Sequence, residues 1–275
     1  MLRKIFLPSI FIILSWGFWI SPDFNVIAAG VAIFLFGMLS LESGFKVFTG
    51  GALEKILANT TNRLWKSLTF GVVSTSIMQS SSLVSVITIS FLSAGLIGLT
   101  QGVGIIFGAN LGTTTGAWLI AGFGLKVNIS AYAMPMLVFG TLLILQKSKK
   151  LKGIGYILAG LGFLFLGIHY MKEGFEAFKD TLDLTQFGVT GFKGLLIYIL
   201  IGLMATVVMQ SSHATLVLTI TALSSGQIGY DNALALAIGS NVGTTITAII
   251  GSLGSNEQGK RLAAAHLIFN LLTGV

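Results

Sequence analysis

The chain has 275 residues, 54% of them hydrophobic and 9% charged, with a net charge of +7 and no cysteine. Long apolar runs with almost no charge belong in a bilayer, which excludes a water-soluble domain, and the lack of cysteine excludes disulfides and thiolate-ligated metal. The positive charge does not mark a nucleic-acid binder, because the basic residues lie between apolar segments and not along one polar face.

Arg3 and Lys4 precede the first apolar run, residues 5–20. They predict an uncleaved N-terminal membrane helix within 1–26, with the N-terminus in the cytoplasm. A cleaved signal peptide is the alternative, disfavoured by the second apolar run that follows at once. Further spans are predicted at 27–41, 102–121, 130–146, 154–170 and 230–250 and from Leu262 onward. Between them, 64–94 and 192–225 are apolar but interrupted by a polar motif. Each is either a broken crossing helix or a hairpin that enters and returns. Taking both as hairpins places Arg3, Lys4, Lys46, Lys55, Arg63, Lys66, Lys147, Lys149, Lys150, Lys152, Lys260 and Arg261 on the cytoplasmic side, as the positive-inside rule requires. The charged stretch 45–66 reads as an amphipathic segment on the cytoplasmic surface, and 175–186 as its external counterpart.

The two polar motifs are copies. Met78-Gln79-Ser80-Ser81 recurs as Met209-Gln210-Ser211-Ser212, and Asn110 to Thr114 recurs as Asn241 to Thr245, both at a shift of 131 positions. The same shift superposes Thr88 on Thr219, Gly95 on Gly226 and Gly108 on Gly239. Under the charge-based count, span 27–41 runs inward while its partner 154–170 runs outward. The predicted fold is therefore an all-α polytopic membrane protein with two inverted-topology repeats, 27–146 and 147–275. Each repeat carries a re-entrant helical hairpin, around 64–94 and 192–225, and a transmembrane helix broken at the Asn-x-Gly-Thr-Thr block; the second ends in the start of a further helix.

Non-helical backbone at membrane depth is permitted only inside protein or beside water. A half-helix starting at the tip of each hairpin would aim free amide groups and the positive end of its dipole at an anion. The hydroxyls of Ser80, Ser81, Ser82, Ser211 and Ser212 add donors there. Gln79 and Gln210 offer both donors and an acceptor. Asn110, Thr113, Thr114, Asn241, Thr244 and Thr245 bring oxygens suited to a hard cation such as sodium, with no other metal implied. Small polar residues also ease helix packing, but paired blocks at constant spacing favour a site. No Lys or Arg lies in either motif, so a bound anion would be held by neutral donors and a co-bound cation.

The paired Gln-Ser-Ser-Ser motifs, here Gln79 to Ser82 and the variant Gln210 to His213, each followed by Gly-x-Asn-x-Gly-Thr-Thr, resemble the bacterial branch of the type II sodium/phosphate cotransporter family. The resemblance covers roughly 30–274. It implies sodium-coupled movement of inorganic phosphate by alternating access, with phosphate at Ser80, Ser81, Ser82, Ser211, Ser212 and His213 and sodium at Gln79, Gln210 and the Asn and Thr residues above. It also implies a plasma (inner) membrane location, no cofactor beyond Na+ as coupling ion, and a homodimer. His213 stands where the family usually has serine; it removes one hydroxyl and introduces a titratable ring. Relatives often continue into further helices and a regulatory domain, so the chain is expected to be a short member or a piece of a longer one.

Other readings compete. An exporter of phosphate, or a small-anion channel or carrier without sodium coupling, would share the site, and dependence on a sodium gradient separates these from a symporter. An intramembrane hydrolase built on Ser212 and His213 is disfavoured, because adjacent residues seldom present a nucleophile and base to one another and no third group orients them. His169 and His266 are read as packing residues. Glu42 and Glu173, near the ends of paired spans, are read as interface solvation, with a proton or cation role as the alternative.

Overall fold

The computed structural model describes residues 2–49, 63–119, 121–122, 130–181 and 191–274, and among these it is helical with no strand. Helices satisfy their own backbone hydrogen bonds, which is the condition for a segment to stand in lipid. Helix α1 spans Leu2–Ile20 and α2 Pro22–Thr49. The break between them is set by Ser21, whose hydroxyl accepts from the Phe24 amide, and by Pro22, which lacks an N–H and fits a first helical position. There follow α3 (Leu64–Met78), α4 (Ser81–Ser93), α5 (Leu99–Leu119) and α6 (Ser130–Ile144). The second half comprises α7 (Lys149–Thr181), α8 (Gly191–Met209), α9 (Ser212–Ser224), α10 (Tyr230–Ser252) and α11 (Glu257–Thr273).

Four stretches, Pro22–Phe48, Lys149–Ala177, Gly191–Met209 and Tyr230–Ser252, are long and apolar enough to cross a bilayer. Large apolar side chains such as Trp19, 89% exposed, and Trp118, 76% exposed, cover the outer surface, which suits lipid and not water. Three expectations need correction. The spans at 27–41 and 154–170 belong to helices of 28 and 33 residues, so the start of each predicted surface segment, 45–66 and 175–186, continues a long helix. Of the remainder, 50–62 and 182–186 lie outside the described residues, and Leu64 to Lys66 form the start of α3. Third, α5 and α10 run unbroken through Asn110 to Thr114 and Asn241 to Thr245.

The glycines expected to break α5 and α10 instead admit a neighbouring backbone. A methyl group at Gly112 would come within 2.7 Å of the Val72 carbonyl oxygen, and one at Gly243 within 2.8 Å of the Leu203 carbonyl oxygen. Gly108 and Gly239 face the carbonyls of Leu68 and Ile199 more closely still. Thus α3 packs on α5 and α8 on α10 through the same glycine pairs, a small-residue seam that lets apolar helices associate where lipid offers no hydrophobic drive. Between the halves the contacts are exchanged: α4 packs on α10 and α9 on α5.

The longest seam joins α2 to α7. Glycines recur every seventh residue, at 30, 37 and 44 on α2 and at 153, 160, 167 and 174 on α7. A methyl at Gly30 would lie 2.7 Å from the Met171 nitrogen, one at Gly37 2.7 Å from the Leu164 nitrogen, and one at Gly44 2.7 Å from the Gly153 oxygen. Partner numbers fall as the α2 number rises, so the helices are antiparallel. In this seam the matching shift is 130, since Gly30, Gly37, Gly44 and Phe45 correspond to Gly160, Gly167, Gly174 and Phe175. Glu42 then corresponds to Lys172 and Lys46 to Glu176. Each helix carries an i,i+4 ion pair there with the signs exchanged, at 2.6 Å for Glu42 and Lys46 and 3.8 Å for Lys172 and Glu176.

Candidate functional site

The two Gln-Ser breaks are built alike. Gln79 has φ 52° and Gln210 φ 54°, the only non-glycine residues among those described with positive φ. The left-handed conformation costs a side-chain-bearing residue about 1–3 kcal/mol, and such strain gathers at functional sites. Each glutamine turns its amide back onto the helix it terminates: Gln79 Nε2 donates to the Ser76 carbonyl and Gln210 Nε2 to the Val207 carbonyl, both at 2.5 Å. The next residue is extended and caps the following helix. Ser80 Oγ accepts from the Leu83 amide at 3.3 Å and Ser211 Oγ from the Ala214 amide at 3.1 Å.

The chain doubles back at the second break. The hydroxyls of Thr206 and Thr215 lie 2.8 Å apart, whereas nine residues of straight helix would separate them by about 13 Å.

A cavity of about 320 Å³ lies between the two breaks, bordered by Gln79 to Ser82, Met209 to His213, Thr113, and one face of α2 formed by Leu35, Met38, Leu39 and Glu42. It brings together all six expected phosphate residues. Of the expected sodium residues it contains Gln79, Gln210 and Thr113. Asn110 faces elsewhere: its Oδ1 lies 3.3 Å from His266 Nε2, on α11. Thr114 is exposed and donates to the Leu111 carbonyl, Thr244 and Thr245 are buried and donate to Ser240 and Val242, and Asn241 is exposed; none of these borders the cavity. Each threonine hydroxyl is thereby tied to its own helix.

The first turns of α4 and α9 border the same space, so their free amides and dipole ends reinforce the serine hydroxyls in favouring negative charge. Glu42 is the carboxylate on the wall, with Lys46 against it on the same helix. In the sequence it reads first as interface solvation, with a proton or cation role as the alternative, because a lone carboxylate one turn before a lysine resembles a surface pair. The signal that would have found it is the glycine register of α2, which fixes the face that looks inward. Among the described residues no group of three or more His, Asp or Glu converges as a metal site.

A duplicated helical pattern, a lipid-facing apolar surface and several helices apolar enough to span a bilayer, with a small cavity between two helix starts, define a polytopic membrane protein. The chain belongs to the Na+/Pi-cotransporter family, a family of transporters, whose profile matches residues 33–173 and 184–273. It is 30% identical over 252 residues to the uncharacterized protein YqeW of Bacillus subtilis, covering 88% of this chain and 77% of that one. It is 25% identical over 246 residues to YjbB of Salmonella typhimurium, named a "putative inorganic phosphate export protein", covering 89% of this chain and 44% of that one. The same-named protein of Escherichia coli is 26% identical over 250 residues, covering 90% and 45%. The chain thus spans less than half the length of the YjbB relatives. No solved structure gives a significant match.

Proposed function

We propose that this protein carries inorganic phosphate across a membrane, coupled to sodium, by alternating access around the cavity between Gln79 to Ser82 and Gln210 to His213. The observation that supports it most is the convergence of two helix N-termini and five serine hydroxyls on one small space. Phosphate there would be held by Ser80, Ser81, Ser82, Ser211, Ser212 and His213, and sodium by Gln79, Gln210 and Thr113. Neutral donors hold an anion less tightly than Arg or Lys would, which suits a carrier that must release it. Because Lys46 neutralises Glu42, the wall presents an ion pair and not a bare negative charge to the incoming anion.

In this reading α3 with α4 and α8 with α9 are re-entrant hairpins in inverted-topology repeats. The antiparallel pairing of α2 with its equivalent α7 and the fold-back at Gln210 support that arrangement. The N-terminus and the Lys46 end of α2 lie in the cytoplasm by the distribution of Lys and Arg. A second reading reverses the net flux: export of phosphate, favoured by the names of the YjbB relatives.

Radiolabelled phosphate in proteoliposomes separates the readings. Uptake driven by an inward sodium gradient, absent with potassium and lost in Gln79→Ala, is the expected result. Flux indifferent to sodium would sink the coupling and favour a channel or an uncoupled exporter. No phosphate flux in either direction would sink the substrate.

A further inference from the structure

A second cavity, of about 420 Å³ and largely apolar, lies between the paired helices α2 and α7 and the residues of the two breaks. Helix α2 lines it from Phe34 to Phe45 and α7 from Ile157 to Ile168, in each case about 16 Å of helix. One leaflet of bilayer hydrocarbon is about 15 Å deep. The inner end of the crevice is formed by Gln79 and His213, which also border the first cavity. On the α3 side its rim is Ile77, 47% exposed on the outer apolar surface, so the crevice opens sideways to lipid.

The crevice exists at one end of the α2 and α7 pair because the two repeats pack differently. Helix α9 lies against α7, whereas its equivalent α4 packs on α3, α5, α10 and α11. At the shift of 130, Leu41 and Phe45 correspond to Met171 and Phe175, and Ile157 corresponds to Ile27. Met171 is buried with Ala214 and Val217 of α9, and Ile27 and Phe175 are buried with Ala222. That end of the groove is filled by α9. At the end where α4 is turned away, Phe45, Ile157 and Leu161 stay partly buried.

The two ends also differ in charge. Lys149, Lys150 and Lys152 are exposed at the open end, where a methyl on Gly153 would meet Val47 and Phe48 beside Lys46, and α7 has no acidic residue before Glu173. Glu42 holds Lys46 at 2.6 Å, so the charge offered to an outside anion is that of the three α7 lysines. The filled end carries Asp23, Glu173 and Glu176 instead.

We propose that the open crevice binds one anionic phospholipid, with an acyl chain along Phe45, Ile157 and Leu161 and the headgroup phosphate at Lys149, Lys150 and Lys152. An apolar groove one leaflet deep, open to lipid and basic at its mouth, matches both halves of that molecule, and basic residues at this depth attract anionic headgroups. A zwitterionic lipid would match the groove and not the charge. The end of the acyl chain meets Gln79 and His213 from outside the anion cavity, so the bound lipid braces the two breaks, whichever solute the first cavity carries.

Native mass spectrometry of the detergent-purified protein, titrated with dioleoyl phosphatidylglycerol or dioleoyl phosphatidylcholine, tests the site. The wild type is expected to retain one phosphatidylglycerol per chain under conditions that strip phosphatidylcholine. Lys150→Gln should weaken that retention about fivefold, and Lys149→Gln, Lys150→Gln and Lys152→Gln together should make the two lipids equivalent. Ile157→Trp fills the groove from within and Ile77→Trp from its exposed rim, and each should lower phosphatidylglycerol retention on the order of tenfold. Leu196→Trp, at a 50% exposed position of α8 that does not border the crevice, should have no effect. If Ile157→Trp disturbs folding, the half-exposed Ile77 position carries the test. Equal retention of the two lipids by the wild type overturns the site. So does retention of phosphatidylglycerol that withstands the crevice-filling changes or the triple lysine change, and so does an equal loss in Leu196→Trp, which would mean a general lipid coat.

Discussion

At the scale of single residues, the positive φ of Gln79 and Gln210 is the feature that function must explain, since glycine would take that conformation without strain. Gln210→Gly is expected to raise resistance to thermal unfolding by up to about 1 kcal/mol while lowering phosphate transport, read by a melting assay beside flux in proteoliposomes. A loss of both would mean the glutamine serves the fold alone. Ser81→Ala and Ser212→Ala should each weaken phosphate binding about tenfold, the worth of a hydrogen bond to a charged group. Thr114→Ala, outside the cavity, should leave affinity unchanged, and equal losses at all three positions would contradict the site. The serines were legible because they recur at fixed spacing; Glu42 was not, because which side of α2 faces inward depends on packing that no local motif encodes. That Asn110 and Asn241 do not border the cavity was hidden for a related reason. An asparagine carries oxygen and nitrogen alike, and its partner, here His266 for Asn110, is 156 residues away.

At the scale of elements, the glycine seam of α2 and α7 leaves no room for a side chain. Gly37→Ala would place a methyl 2.7 Å from the Leu164 nitrogen, so the helices must part along the seam at a cost of about 1–3 kcal/mol. Gly254→Ala, which meets nothing within 4 Å, should be near neutral. Unfolding midpoints in mixed detergent micelles compare the two, and a neutral Gly37→Ala would show that the seam is looser than its contacts. The existence of most helices followed from apolar length, and the interruptions at Gln79 and Gln210 from polar residues in apolar surroundings. The helix breaks expected at Gly112 and Gly243 did not follow. Glycine weakens a helix in isolation, but in these helices it faces a neighbour's backbone, and the close contact it permits outweighs the lost propensity.

At the scale of the whole molecule, the helices are related in pairs but the cavity is not symmetric: α2 walls it and α7 does not. The charges break the symmetry too, with Glu42 beside the cavity and Lys172 at the equivalent place on α7. Glu42→Gln leaves the Lys46 ammonium without its partner next to the anion space and should raise phosphate affinity severalfold at low salt, an advantage that fades as ionic strength screens the charge. Titration by calorimetry at two salt concentrations checks this, and a fall in affinity would instead give the carboxylate a part in cation binding.

The clasp between Thr206 and Thr215 has no equivalent in the first half of the chain. The matching positions are Thr75 and Val84, and the Thr75 hydroxyl is buried with no partner. One turn is fastened across its two legs and the other is not, so the two are unequal in stiffness. Thermal fluctuation should concentrate in the unfastened turn at Gln79 and Ser80, which exchanges amide hydrogens faster than the turn at Gln210 and Ser211. Val84→Thr, which supplies the missing hydroxyl, should even out the two rates.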